Sequence, residues 1–82
     1  MTKYILDTEK IERLMVNRKL TVRDMLDKAK IDKMTWHRLM REKRPTAFRN
    51  VTVLAFVLNV HPDDITESII VQKEKERTNA EQ

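Results

Sequence analysis

Residues 21–44 read TVRDMLDKAKIDKMTWHRLMREKR, and within them two short helical patterns meet with only Lys30, Ile31 and Asp32 between them. A joint that short holds the second helix against the first, and the rest of the chain has to be arranged around the pair. Thr21 is placed to cap the first helix, with Asp24 three residues on as its reciprocal partner. Met25, Leu26 and Ala29 then recur at i, i+1 and i+4 and make a narrow apolar face. Asp32 is placed to cap the second helix, where Trp36, Leu39 and Met40 fall at i, i+3 and i+4 and turn inward together.

The opposite face of that second helix has a different character. At roughly 100° per residue, Met34, His37, Arg38 and Arg41 lie within an arc of about 100° directed away from Trp36. Lys33 sits at the edge of the arc, near the helix start. An outward face of this kind, on a helix held by a shorter one before it, is what a helix-turn-helix places in the DNA major groove.

The order of these elements resembles the helix-turn-helix of phage repressors of the Cro/CI type, the XRE-like family, over most of the chain, from about Leu6 to Ile65. The first-helix core of that family is matched by Ile11, Leu14 and Met15, and its Leu-Thr opening to the second helix by Leu20 and Thr21. Its second-helix alanine corresponds to Leu26 or Ala29, its small apolar turn residue to Ile31, and its inward pair on the recognition helix to Trp36 and Leu39. A Lys-Arg-Pro step follows at Lys43, Arg44 and Pro45, then a helix closing on Leu58, Asn59 and Val60 in the family's Leu-X-Val pattern. The chain has no glycine. Lys19, Lys30 and Glu42 stand where the family places one, and Val22 replaces a polar residue that often meets a phosphate. A non-glycine residue held at positive φ costs roughly 1 kcal/mol. The connection after the recognition helix also runs one residue longer than in the family.

Charge supports the same face. Residues 33–49 carry six basic side chains, Lys33, Arg38, Arg41, Lys43, Arg44 and Arg49, against the single acid Glu42. The whole chain carries only +4, so all of its positive excess lies on the second helix of the pair and the loop after it. Most such runs are solvated surface. The clustering on one helix face tips the reading toward DNA.

With 82 residues there is room for one small domain, burying about 60–65% of its unfolded surface. The absence of cysteine removes disulfides and thiolate metal sites, and no apolar run reaches the roughly 18 residues of a membrane span. With no signal peptide in view, a cytoplasmic location is the default expectation.

Along the rest of the chain, residues 3–6 (KYIL) read as a short strand. Asp7 or Thr8 caps a first helix running to about Asn17. Pro45 marks a loop over residues 43–47, and a fourth helix covers about residues 49–58. Val51, Leu54, Ala55 and Leu58 share one face of it, while Val53, Phe56 and Val57 make it apolar on nearly all sides. That describes a helix at the centre of the core, or one that lends its spare face to a dimer. Asn59 suits a left-handed C-terminal cap, and Pro62, Asp63 and Asp64 open a fifth helix. Residues 68–72 (SIIVQ) either extend that helix or form a strand, which would pair with residues 3–6 of the same or a second chain. Residues 1–70 are taken as the domain and 71–82 as a charged, disordered tail.

Other chemistry is weaker. Trp36 has the register of a core residue rather than of a base-stacking one. Met34 faces outward, where contact with a thymine methyl and incidental exposure are equally good readings. His61 precedes Pro62 as a helix-opening residue, and two distant histidines make no zinc site. Helix capping explains Asp63 and Asp64 better than acid–base work, and Ser68, the only serine, has no triad around it. No enzyme, cofactor or metal is expected.

The expectation is therefore an all-α, lambda-repressor-like domain of about five short helices, with short terminal strands as an option. The resemblance implies a sequence-specific double-stranded DNA-binding transcriptional regulator, a repressor acting by operator occupancy, binding the major groove as a homodimer. Lys33, Met34, His37 and Arg38 are the candidates for base edges, Thr35 for either role, and Arg41, Lys43, Arg44 and Arg49 for phosphates. Only about 17 residues follow Ile65, too few for a sensing domain, so switching would act through concentration, dimer dissociation or an antagonist such as an antirepressor protein. The alternative is a protein-interaction module of the same fold, an antitoxin or adaptor, with DNA secondary.

Overall fold

The computed structural model describes residues 2–71. The expected tail over 71–82, apart from the backbone of Val71, lies outside them. In chain order the elements are β1 (Thr2–Leu6), α1 (Thr8–Asn17), α2 (Val22–Ala29), α3 (Lys33–Met40), α4 (Phe48–Leu58), a 3₁₀ turn (Pro62–Ile65) and β2 (Thr66–Val71). The domain is mostly helical with a short two-stranded sheet.

Local chemistry sets the helix starts. Of the two candidates before α1, Asp7 is the cap, its carboxylate accepting the Lys10 N–H at 3.2 Å. Thr21 and Asp24 form the reciprocal box at α2: the Asp24 N–H donates to the Thr21 hydroxyl oxygen at 3.1 Å, and the Thr21 N–H to the Asp24 carboxylate at 2.9 Å. Asp32 caps α3 by accepting the Thr35 N–H at 2.8 Å.

The helix ends are less usual. Lys19, Lys30, Lys43 and Asn59 all sit at positive φ, between 51° and 59°. After α4, the Asn59 N–H donates to the Phe56 carbonyl and the Val60 N–H to the Ala55 carbonyl, which closes the helix with a left-handed residue. The same pair of bonds follows α1, from Lys19 to Val16 and from Leu20 to Met15. Lysine therefore does at two helix ends what glycine does at lower cost. After α3 the left-handed residue is Lys43 rather than Glu42, which corrects the expected position by one and fits the longer connection there.

The core consists of Leu6, Ile11, Met15, Met25, Ala29, Trp36, Leu39, Met40, Val51, Leu54, Ala55, Leu58 and Ile65. The inward trio of α3 and the four-residue face of α4 are all buried. α4 touches α1, α2, β1 and the 3₁₀ turn, so it is the central helix. Of its three further apolar residues, Val53 and Val57 pack partly against the core and Phe56 alone stands out, 85% exposed.

One expectation is corrected and one open alternative is decided. The fifth helix is a single 3₁₀ turn, opened by Pro62 and closed at Thr66, where the backbone becomes extended. Of the two readings of the segment that follows, the strand holds: Thr66–Val71 runs antiparallel to β1 of the same chain, with Tyr4 opposite Ile69 and a register shift between Ile5 and Leu6, so the mostly helical domain carries the short terminal strands that stood as an option. A segment of β-branched residues with a partner strand available gains more from ladder bonds than from extending a one-turn helix. Tyr4 exchanges two 2.8 Å backbone bonds with Thr46, which fixes the loop after α3 to the sheet. No helix among the described residues is long and apolar enough to cross a membrane.

Candidate nucleic-acid interface

α3 is positioned from three sides. The left-handed Lys30 ends α2, the Asp32 cap starts α3 one residue after Ile31, and the buried trio Trp36, Leu39 and Met40 fixes the rotation of the helix about its axis. That rotation leaves Lys33, Met34, His37, Arg38 and Arg41 exposed on the far side. Met34 is 57% exposed, a large apolar side chain displayed in a row of cations. Asp32, Lys33, Met34 and His37 line a shallow depression at the start of this face.

Thr35 is placed apart from that group. It is half-buried and lines a separate cleft of about 420 Å³ with Ala29, Lys30, Ile31, Asp32, Arg49, Asn50 and Val53. Arg49, at the start of α4, therefore meets the start of α3 rather than its outward face. Hydrogen bonds from the Thr35 hydroxyl and backbone N–H hold Asp32 below the usual carboxylate range, and the charge of Arg38 adds to the effect. The Asp32 carboxylate is thus engaged with its own helix.

The loop after α3 carries partners that sequence reasoning missed. Glu42 stands between two bases: Arg44 Nε donates to its carboxylate at 2.8 Å, and His37 Nε2 lies 3.6 Å from the other oxygen, beyond hydrogen-bonding reach. Lys43 Nζ meets the Glu67 carboxylate of β2 at 3.3 Å. These pairs are well exposed and worth at most about 1 kcal/mol each, so a phosphate can displace the carboxylates readily. Lys33, Arg38, Arg41 and Arg49 enter no ion pair among the described residues. Only the Glu42 and Arg44 pairing had a local signal, two opposite charges two residues apart in a loop. The Lys43 and Glu67 contact spans 24 residues and had none.

The nine candidate residues thus divide into an outward α3 face (Lys33, Met34, His37, Arg38, Arg41), a loop pair held by acids (Lys43, Arg44) and a cleft pair (Thr35, Arg49). No protein-family model, curated protein or solved structure matches the chain.

Proposed function

We propose that this chain is a sequence-specific double-stranded DNA-binding regulator of the Cro/CI helix-turn-helix kind, with a lambda-repressor-like arrangement of α1–α4. It acts as a repressor by occupying operator DNA as a homodimer. One observation carries the reading: α3 buries Trp36, Leu39 and Met40 on one side and displays Met34, His37, Arg38 and Arg41 on the other, directly after a capped, tightly turned α2. A helix so presented offers an arginine fork to guanine O6 and N7, and a methionine to a thymine methyl. Arg41, Lys43 and Arg44 flank it on one end and Arg49 on the other, where they meet the two phosphate strands that border the groove.

The test is binding to duplex DNA across a salt series. Four to six phosphate contacts per monomer give a log–log slope of roughly −4 to −10 for a dimer. A slope near zero, or no retardation of a random duplex pool, overturns the reading. A second reading, a protein-interaction module of antitoxin or adaptor type, draws on Phe56, which stands 85% exposed on the central helix. It takes over if the duplex pool shows no retardation.

A further inference from the structure

Residues 33–49 hold six bases and one acid, and that acid, Glu42, lies among the bases just after α3. Charge gives it no purpose there. The free carbonyls at the end of α3 already carry partial negative charge, so a carboxylate beside them is unfavourable. In the proposed complex it faces a polyanion. Its ion pair with Arg44 is well exposed and adds little to folding.

What Glu42 supplies is geometry. Arg44 Nε donates to its carboxylate at 2.8 Å, with the left-handed Lys43 between the two residues. The backbone N–H of Arg44 donates to the Arg38 carbonyl at 3.1 Å, in the last turn of α3. Arg44 is therefore held twice, its backbone by α3 and its guanidinium by Glu42. A guanidinium has five N–H groups, and this bond takes the one on Nε. The four on the two Nη atoms are left, and a pair of them matches two oxygens of a phosphate. A phosphate is able to displace the carboxylate, yet has no need to. An arginine held in this way has less rotamer freedom to lose on binding. Lys43 is arranged differently. Its N–H groups share one nitrogen, which Glu67 meets at 3.3 Å, so a phosphate there finds a carboxylate competing for the same atom.

We propose that Glu42 is a positioning residue for DNA: it buttresses Arg44 through Nε, so that the Nη edge of the guanidinium is presented to a phosphate. This deepens the DNA-binding reading and rests on it. The two loop acids then have opposite roles, Glu42 supporting a phosphate contact and Glu67 opposing one. His37 takes no part, because its Nε2 lies 3.6 Å from Glu42, beyond hydrogen-bonding reach.

The experiment is retardation of a random-sequence duplex, at one salt concentration, by the full chain and its Glu42→Ala, Glu42→Gln, Arg44→Ala and Glu67→Gln variants, with thermal melts beside it. If charge alone mattered, every loss of an acid would tighten binding. The buttress instead makes Glu42→Ala bind roughly twofold to tenfold more weakly, although a negative charge has gone. Glutamine keeps an oxygen for Nε and loses the charge, so Glu42→Gln should bind at least as tightly as the parent. Glu67→Gln should bind more tightly. In an Arg44→Ala background Glu42→Ala should no longer weaken binding, because nothing is left to hold. That double variant also decides the case of a Glu42→Ala chain that melts below the parent, since a fold defect would persist without Arg44. A Glu42→Ala chain that binds as tightly as the parent overturns the proposal, as does a loss that survives in the Arg44→Ala background; both leave the DNA-binding reading in place. A parent chain that does not retard the duplex overturns that reading and this proposal with it.

Discussion

Lys19 and Lys30 hold left-handed backbone at helix ends, at φ 57° and 59°, in a chain without a single glycine. Replacing each by glycine removes the Cβ that crowds the following carbonyl, a relief of about 1–2 kcal/mol. Against this stands the greater freedom of glycine in the unfolded chain, about 0.5–1 kcal/mol. The net gain is about 0.5–1 kcal/mol per site. Both side chains are exposed, so little packing is lost with them. The sites close different helices and should add, for about 1–2 kcal/mol in the double variant. In a domain of this size that raises Tm by about 4–16 °C. Thermal melts followed by circular dichroism read this directly. Lys19→Ala and Lys30→Ala are the controls, because alanine keeps the Cβ, loses the charge and should gain nothing. A glycine variant no more stable than the parent, or an alanine variant that gains as much, would refute the strain argument. Lys43, at φ 51°, is left out because it is a proposed phosphate contact and pairs with Glu67.

Two more outcomes follow from the structure. Hydrogen bonds from the Thr21 backbone and hydroxyl hold Asp24 below the usual carboxylate value, as those of Thr35 do for Asp32. The stability these caps contribute is full above the ordinary carboxylate pKa and is lost as pH falls through the lowered values; urea midpoints should drop in that acid range, and Asp24→Ala with Asp32→Ala should flatten the drop. Trp36 is only 8% exposed, so its emission should be blue-shifted and indifferent to added DNA, and Trp36→Ala should cost about 3–5 kcal/mol in urea unfolding. A quenching of Trp36 on DNA binding would place it at the interface instead.

What the sequence made legible is what short-range chemistry decides. The Thr21 and Asp24 box, the Asp32 cap and the left-handed Asn59 each depend on residues within a few positions. The inward trio of α3 follows from helical spacing alone. The β2 segment was not decidable in this way, because a run such as TESIIV becomes a strand only if a distant partner is free, and β1 lies more than sixty residues earlier. The same distance hid Glu67 from Lys43. Thr35 stood as a candidate for either role because it lies near the start of α3, yet it lines the cleft walled by Arg49, Asn50 and Val53 of α4. Glu42 was counted as a charge and as a stand-in for glycine, and its place between His37 and Arg44 depends on the loop geometry around Lys43.

The central claim is that the outward face of α3 reads base edges, and Arg38 tests it most directly. It lies about 160° around the helix from Trp36, is exposed, and enters no ion pair among the described residues, so packing gives it no role. The measurement is the affinity of the parent, Arg38→Ala and Arg49→Ala for the preferred operator and for each single-base change in it. Arg38→Ala should keep its fold and relax discrimination at one base position per half-site, where the parent discriminates by about 1–3 kcal/mol. Arg49→Ala should weaken all sequences evenly and reduce the salt slope by about one unit per site. If Arg38→Ala instead loses affinity evenly across every sequence, Arg38 only clamps a phosphate, and the account of this helix face is wrong.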